Sequence, residues 1–326
     1  MTLSTNRRVA MKLGFAGVAG LAAPQIMVRA AQAETPKSDV GNPGFNRFML
    51  GNFEVTTILD GARPGDGPYP IFGQDQEASD VAALLEANFL PSEKFVNSFT
   101  PTLVNTGSEL VLFDTGLGAG GREGGLGQLR SRIEASGYSP DDVSVIVITH
   151  MHGDHIGGVM EGEKPAFANA RYVTGQAEYD FWASDERLSG PTENNAKAVQ
   201  ASIVPLAEKM TFIEDGGEVV SGITGMAAAG HTPGHMIFNL ESEGKRLILT
   251  ADTANHYVAS LQRPDWHVQF DMDKEAAAQT RVRVFDMLAA DRVPFAGYHM
   301  PFPAVGFVEK LDTGYRFVPV SYQMLL

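Results

Sequence analysis

The seven residues Thr149-His150-Met151-His152-Gly153-Asp154-His155 are the most informative stretch of this sequence. Three of the eight histidines in the 326-residue chain fall within six positions, and a carboxylate stands among them. The preceding residues 143–148 are apolar apart from Ser144, with a continuous apolar run at 145–148, which is typical of a strand covered on both faces. Imidazoles and a carboxylate that leave the end of a buried strand suit a divalent metal ion. The stretch therefore predicts a metal site rather than a set of core histidines.

This run resembles the signature of the metallo-β-lactamase superfamily, and the other landmarks of that family are present in order, one ahead of the run and three after it. Each of them stands at or near the predicted end of a strand, and each alone would be weak evidence. They are Asp114, His231, Asp252 and His299. His235, which follows His231 in a Pro-Gly turn, is expected to be a hydrogen-bonding or packing residue instead.

The resemblance implies a role for each of these residues. His150, His152 and His231 would hold a first metal ion. A second ion would be held by Asp154, His155 and His299. Asp252 would bridge the two ions, and Asp114 would orient one of the ligands.

The pattern of predicted elements indicates an α/β fold of the αββα type, in which two β-sheets form a sandwich flanked by helices. Alternating residues in 45–60 predict two strands, and residues 102–114 predict a hairpin. Residues 63–101, rich in glycine and proline at first, are expected to form a flap over the site. The predicted helices cover residues 78–88, 126–135, 176–184, 193–210 and 273–290. One domain, residues 34–326, is expected.

The first 33 residues have the composition of a secretory signal. A basic start containing Arg7-Arg8 precedes an apolar stretch that glycines dilute and that Pro24 interrupts. Adjacent arginines favour the twin-arginine route, with cleavage after Ala33, contact with the export machinery and a periplasmic location. The stretch is too short and weak for a stable membrane anchor. An uncleaved anchor or a disordered tail is the alternative.

Composition narrows the choice of partners. The chain contains no cysteine, so thiolate metal ligands are excluded. The first 33 residues hold four basic and no acidic side chains, which leaves 21 basic against 39 acidic side chains in the remainder. Such a charge disfavours nucleic acid and anionic membranes and favours a small neutral substrate. A homodimer through residues 63–101 is a possible arrangement.

The implied cofactor is a pair of divalent ions, with Zn²⁺ expected. Two such ions lower the pKa of a bridging water enough to give hydroxide near neutral pH. Asp154 and Asp252 are the predicted catalytic carboxylates, and Asp154 could also carry a proton. The stretches at 178–184, 299–303 and 315–320 resemble the methyl parathion hydrolase and lactonase branch.

These features favour hydrolysis of a small uncharged ester or lactone. Phosphotriester hydrolysis and hydrolytic dehalogenation of an activated aryl halide are the neighbouring alternatives. An iron-dependent redox enzyme and a zinc-stabilised binding protein are alternatives of another class. Candidate substrate contacts are Asn255 and His256, together with an aromatic wall whose alternative explanation is core packing. That wall would contain Trp182, Tyr257, Trp266 and Phe270.

Overall fold

Residues 43–322 are the part of the chain that this computed structural model describes, and they form eighteen strands and seven α-helices. The strands are β1 (Phe45–Leu50), β2 (Phe53–Ile58), β3 (Gly61–Asp66), β4 (Lys94–Phe99), β5 (Thr102–Asn105), β6 (Leu110–Phe113), β7 (Val145–Ile148), β8 (Met160–Glu161), β9 (Lys164–Pro165), β10 (Arg171–Gly175), β11 (Met210–Ile213), β12 (Glu218–Val220), β13 (Ile223–Ala227), β14 (Met236–Ser242), β15 (Lys245–Ala251), β16 (Phe295–Gly297), β17 (Val305–Lys310) and β18 (Tyr315–Pro319). The α-helices are α1 (Ala78–Ala87), α2 (Leu129–Ala135), α3 (Gly153–Ile156), α4 (Gln176–Trp182), α5 (Glu193–Ser202), α6 (Ala259–Gln262) and α7 (Lys274–Asp291).

Most of the strands belong to two seven-stranded sheets. The first sheet has the order β1-β2-β5-β6-β7-β10-β11, in which β6, β7, β10 and β11 run parallel to one another. The second sheet has the order β12-β13-β14-β15-β16-β17-β18 and is antiparallel except between β15 and β16. Parallel neighbours bring the residues that follow them to the same edge of a sheet. This arrangement positions the candidate ligands.

The two sheets pack face to face, and their side chains alternate between an inner and an outer core. Val145 and Val147 of β7 join the core between the sheets, whereas Ile146 and Ile148 face the helices outside the first sheet. The predicted strand is thus covered on both faces, as its continuous apolar composition indicated. Helices α2, α4 and α5 contribute to the outer core on this side.

Helix α7 covers the outer face of the second sheet. Asp273 caps its first turn by accepting a hydrogen bond from the backbone N–H of Ala276, which satisfies one of the donors that a helix start leaves free. Val284, Phe285 and Leu288 then pack against the sheet. Helices lie outside both sheets, so the predicted αββα sandwich is confirmed.

Two predicted segments differ in local structure from the expectation. Residues 193–210 do not form one helix, because α5 ends at Ser202 and a 3₁₀ segment containing Pro205 follows. Proline cannot donate the backbone hydrogen bond that continues a helix. The segment at 63–101 contains α1 as expected, but it also contains a hairpin of β3 and β4 that the sequence did not indicate.

The proposed signal, residues 1–33, lies outside the described residues and stays a prediction. The described residues, 43–322, group as one compact unit. None of the helices between residues 43 and 322 combines the length and the apolar character that a membrane span requires.

Candidate metal centre

The structure brings all seven predicted ligands together. His150 and His152 follow β7, and α3 carries Asp154 and His155. His231 lies in the turn between β13 and β14, and the remaining two follow the parallel strands β15 and β16. Their donor atoms fall into three groups, in each of which every atom lies within 4.8 Å of the others. These groups are His150–His152–His231, His150–His155–Asp252 and Asp154–His155–His299.

The first group consists of three histidines whose nitrogens point at one another. His152 Nδ1 lies 3.1 Å from His150 Nε2 and 2.9 Å from His231 Nε2. Burial and the neighbouring imidazoles hold the pKa of His150 and His152 well below the usual value. Both rings are therefore neutral near pH 7, which is the form that binds a metal ion.

Asp252 joins this group to the second one. Its Oδ2 lies 3.3 Å from His231 Nε2 and 3.1 Å from His299 Nε2, and its Oδ1 lies 3.2 Å from His155 Nε2. Asp154 completes the second group, with its Oδ2 at 3.6 Å from His155 Nε2 and 3.5 Å from His299 Nε2. The carboxylate of Asp252 therefore stands between the two groups.

Outer hydrogen bonds fix which nitrogen of each ring carries the proton. His155 Nδ1 donates to Asp114 at 2.8 Å, and His231 Nδ1 donates to Asp271 at 2.9 Å. His299 Nδ1 donates to the carbonyl of Ser98 at 2.8 Å. In its neutral form, each ring therefore presents the lone pair of Nε2 to the cluster.

His150 reaches the same state through Thr149. The Thr149 hydroxyl donates its proton to Asp114 Oδ2 at 2.8 Å, so its oxygen is left to accept from His150 Nδ1 at 3.1 Å. Asp114 also accepts from the backbone N–H of Thr149 at 2.9 Å. The residue expected to orient one ligand thus contacts His155 directly and His150 through a hydroxyl.

This donor set fits a pair of cations. Ring nitrogens of five histidines converge, and two buried atoms of the cluster, His155 Nε2 and Asp252 Oδ1, have no hydrogen-bond partner. Burial opposes protonation of His155, but the carboxylates of Asp252, Asp114 and Asp154 raise its pKa well above the usual value. A field that attracts a proton so strongly also attracts a metal ion.

Glu178, on α4, contacts both the loop at 150–155 and the turn that carries His231. The sequence did not predict a role for this residue. This fully buried carboxylate accepts from the backbone N–H of Met151 and the indole of Trp182, both at 2.8 Å. Its other oxygen accepts from the Thr232 hydroxyl at 2.7 Å and the Gly234 N–H at 3.0 Å. The four donors hold the loop at 150–155 beside the turn that carries His231.

Two glycines allow the chain to pass close behind the ligand loop. A Cβ at Gly158 would lie 2.1 Å from the carbonyl oxygen of Thr115, and one at Gly118 would lie 2.3 Å from that of Gly157. Gly153 behaves differently, since a Cβ there would meet no atom within 4 Å. Close approach of the chain therefore explains Gly158 and Gly118, whereas no close contact requires a glycine at position 153.

Two cavities of about 530 Å³ each adjoin the cluster. The first, here called the histidine cavity, is lined by Asp154, His231, Asp252 and residues of the β3–β4 hairpin such as Arg63. The second, here called the apolar cavity, is lined mainly by carbon-rich side chains such as Leu90, Phe95, Val96, Pro301 and Phe302. His299 lines both of them. The β3–β4 hairpin borders both cavities, as expected for a flap.

The six predicted substrate contacts separate into two sets. Asn255, His256 and Tyr257 line the apolar cavity, and Phe270, 40% exposed, lines the histidine cavity.

Trp182 and Trp266 do not belong to either wall. Trp182 is buried in the core beside α5 with its indole on Glu178, and Trp266 packs against α1. The expectation of an aromatic wall that contains the two tryptophans is therefore corrected.

Curated relatives match the part of the chain around the cluster. An N-acyl homoserine lactonase of a Bacillus species is 26% identical over 151 residues, which is 46% of this chain and 54% of that protein. A second one, from Bacillus thuringiensis, is 30% identical over 123 residues, covering 37% of this chain and 43% of that protein. The chain thus matches about half the length of these relatives.

Solved structures match over a larger share. AidC, described as a dizinc quorum-quenching lactonase in complex with a product, has a TM-score of 0.80 at 28% identity, covering 86% of this chain and 98% of that one. The hydrolase AbOPH has a TM-score of 0.78 at 26% identity with the same coverage. The narrower resemblance to methyl parathion hydrolase stays a prediction. A family model described as the metallo-beta-lactamase superfamily matches residues 100–296, more than half of the chain, so this protein belongs to that superfamily.

Proposed function

We propose that this protein hydrolyses a small uncharged lactone that carries an apolar substituent, and that it uses two divalent metal ions, expected to be Zn²⁺. The main support for this proposal is the position of Asp252, which lies between two groups of ligand atoms. An apolar cavity of about 530 Å³ adjoins these groups. Divalent ions bound there would polarise a carbonyl oxygen and acidify water, which is the chemistry that lactone opening needs.

The inward-facing atoms support a division of the ligands between two ions. His150, His152 and His231 form the all-histidine group suited to one ion, and Asp154, His155 and His299 form the group suited to the other. Asp252 is assigned to both, because its two oxygens face histidines of both groups. The two carboxylates offset half of the charge of two divalent ions, so the site keeps a positive field for a developing oxyanion.

Asp154 is the residue we assign to proton transfer. Its side chain is 24% exposed, whereas those of His155, Asp252 and His299 are at most 4% exposed, and it lines the histidine cavity. A carboxylate in this position can take a proton from an attacking water and return it to the alcohol oxygen that leaves the opened ring. The hydroxyl of Tyr298 donates to the backbone carbonyl of Asp154 at 2.6 Å and so holds its backbone in place.

The residues that line the site and the charge of the chain favour a neutral substrate. The apolar cavity offers carbon surface to a substituent, and burying such surface contributes about 25 cal/mol per Å². The chain has a formal net charge of −14, which disfavours the approach of anions. The similarity to N-acyl homoserine lactonases supports a lactone over a phosphotriester or an aryl halide.

Metal analysis and a substrate panel test the proposal on the full chain. The panel contains an aryl ester, a simple γ-lactone, an acyl-homoserine lactone, a phosphotriester and a chlorinated aryl nitrile. We expect about two zinc ions per chain and turnover of a lactone that a chelator abolishes. Bound metal with no turnover would support the binding-protein alternative, and bound iron with visible absorbance would support the redox alternative.

A further inference from the structure

His256 is a buried polar side chain within the apolar cavity, and its surroundings are aromatic. The residue is 7% exposed, and its ring stacks on Tyr257 at 5.3 Å between ring centroids with an interplanar angle of 11°. The rings of Phe72 and Phe95 lie at 5.1 and 6.4 Å. These contacts hold the imidazole in one orientation.

The hydrogen bonds of His256 determine its tautomer. Nδ1 accepts from the backbone N–H of Val258 and of Ala259, each at 3.1 Å, at the start of α6. A nitrogen that accepts two hydrogen bonds carries no proton, so in the neutral ring the proton is on Nε2. Burial lowers the pKa of His256 to about 4, so the neutral ring is the form present near pH 7.

The Nε2–H group of His256 is available to donate a hydrogen bond to a ligand. Within residues 43–322, no hydrogen bond joins Nε2 to another protein group, although both partners of Nδ1 are accounted for. A donor without a partner in an apolar environment is unfavourable, and a ligand acceptor would satisfy it.

We propose that His256 donates a hydrogen bond from Nε2 to a carbonyl oxygen in the apolar substituent of the substrate, and so selects acylamino lactones over alkyl lactones. The inference rests on the lactone hydrolysis proposed above and adds the chemical class of the substituent. His256 lines the apolar cavity, whereas Asp154 and Asp252 line the histidine cavity. The donor therefore serves the substituent and not the carbonyl that is attacked.

Asn255, the neighbouring residue in the apolar cavity, is directed to the metal cluster instead. Its Nδ2 donates to Asp252 Oδ2 at 2.9 Å, and its Oδ1 lacks a partner. The amide orientation is set by the carboxylate, since the opposite orientation would bring two oxygens together. Asn255 is therefore held by a candidate ligand, whereas no hydrogen bond within residues 43–322 joins the His256 ring to one.

The substitution His256→Asn separates the two functions of the ring. The Asn Oδ1 can replace Nδ1 as the acceptor for Val258 and Ala259, but the Nε2–H group is lost. In the metal-loaded full chain, we expect KM for an α-hexanoylamino γ-lactone to rise about tenfold, the factor of one lost hydrogen bond. The value of kcat should change less than about twofold, because the reacting carbonyl lies elsewhere. KM for an α-hexyl γ-lactone should stay the same.

His267→Asn is the matched control, because that side chain pairs with exposed Glu275 away from both cavities. An equal change of KM for both lactones, or no change for either, would overturn the inference while leaving lactone hydrolysis standing.

Calorimetry measures the binding of N-methylhexanamide to the wild type and to both variants. This measurement does not depend on turnover. Weaker binding in His256→Asn alone supports the inference even where neither lactone is hydrolysed, a result that would contradict only the proposed function. Equal binding in all three proteins overturns the inference. If His256→Asn does not fold, the wild type must still show a lower KM for the acylamino than for the alkyl lactone, and equal KM values overturn the inference.

Discussion

Asp271 accepts a hydrogen bond from His231 Nδ1 at 2.9 Å, although forty residues separate them along the chain. Its other oxygen accepts from the guanidinium of Arg281 at 2.7 Å. Arg281 belongs to α7, is fully buried, and also donates to the carbonyls of Thr253 and Pro264. One arginine thus connects a candidate ligand, the loop after Asp252 and the helix outside the second sheet.

The substitution Asp271→Asn should loosen His231 and leave Arg281 without a charged partner. We expect Zn²⁺ affinity to fall about 10- to 100-fold and the unfolding free energy of the metal-free protein to fall by about 3 kcal/mol. Calorimetric metal titration and urea unfolding measure the two effects. Asp265→Asn, on the same loop but exposed, is the control. Unchanged metal affinity in Asp271→Asn would mean that other contacts orient His231.

The substitution Glu178→Gln should separate the two histidine loops. Four groups donate to this carboxylate, and an amide would turn its own donor towards two of them. We expect a loss of about 1 to 3 kcal/mol in unfolding free energy, with weaker metal binding, measured by thermal unfolding with and without Zn²⁺. Glu163→Gln changes the same charge at an exposed position and should have no effect. A stable Glu178→Gln variant with normal metal content would contradict this role.

The substitution Asp252→Ala should release metal and abolish hydrolysis, because this carboxylate faces histidines of both groups. Elemental analysis after desalting and initial rates on the substrate panel provide the measurements. Asp265→Ala is again the exposed control. Two ions and full activity retained in Asp252→Ala would refute the assignment of the ligands.

The stability of the protein should depend on pH partly through His256. Burial lowers its pKa from 6.5 to about 4, so between these values the unfolded chain binds a proton that the folded protein does not. Stability is therefore fully present above about pH 6.5 and is lost as the pH falls towards 4, by about 3 kcal/mol from this group. Urea unfolding of metal-free wild type and His256→Asn between pH 4 and 8 isolates the contribution. The variant should lose less stability on acidification, and parallel curves would show that His256 does not titrate in this window.

The candidate metal ligands could be predicted from the sequence because they lie at or near the ends of strands. The motif at 149–155 follows a run whose apolar character identifies a strand buried on both faces. By contrast, the contribution of Gly61–Asp66 to a hairpin was missed, because its glycines and proline carry no alternating pattern of strand-forming residues. The aromatic character of Trp182 and Trp266 does not reveal which way a side chain faces, and both proved to be packing residues.

The sequence alone indicated the superfamily and the αββα sandwich, because these depend on residue type and on the pattern of apolar residues, and the resemblance to that superfamily named the seven candidate ligands. Tertiary structure decided which groups support them. Glu178 meets Gly234 across 56 residues, and Asp271 meets His231 across 40, because the sheets bring their loops to one edge. The free Nε2–H of His256 likewise follows from the two backbone donors that occupy Nδ1. Such directions of hydrogen bonds depend on the packed positions of distant segments, and no local pattern in the chain encodes them.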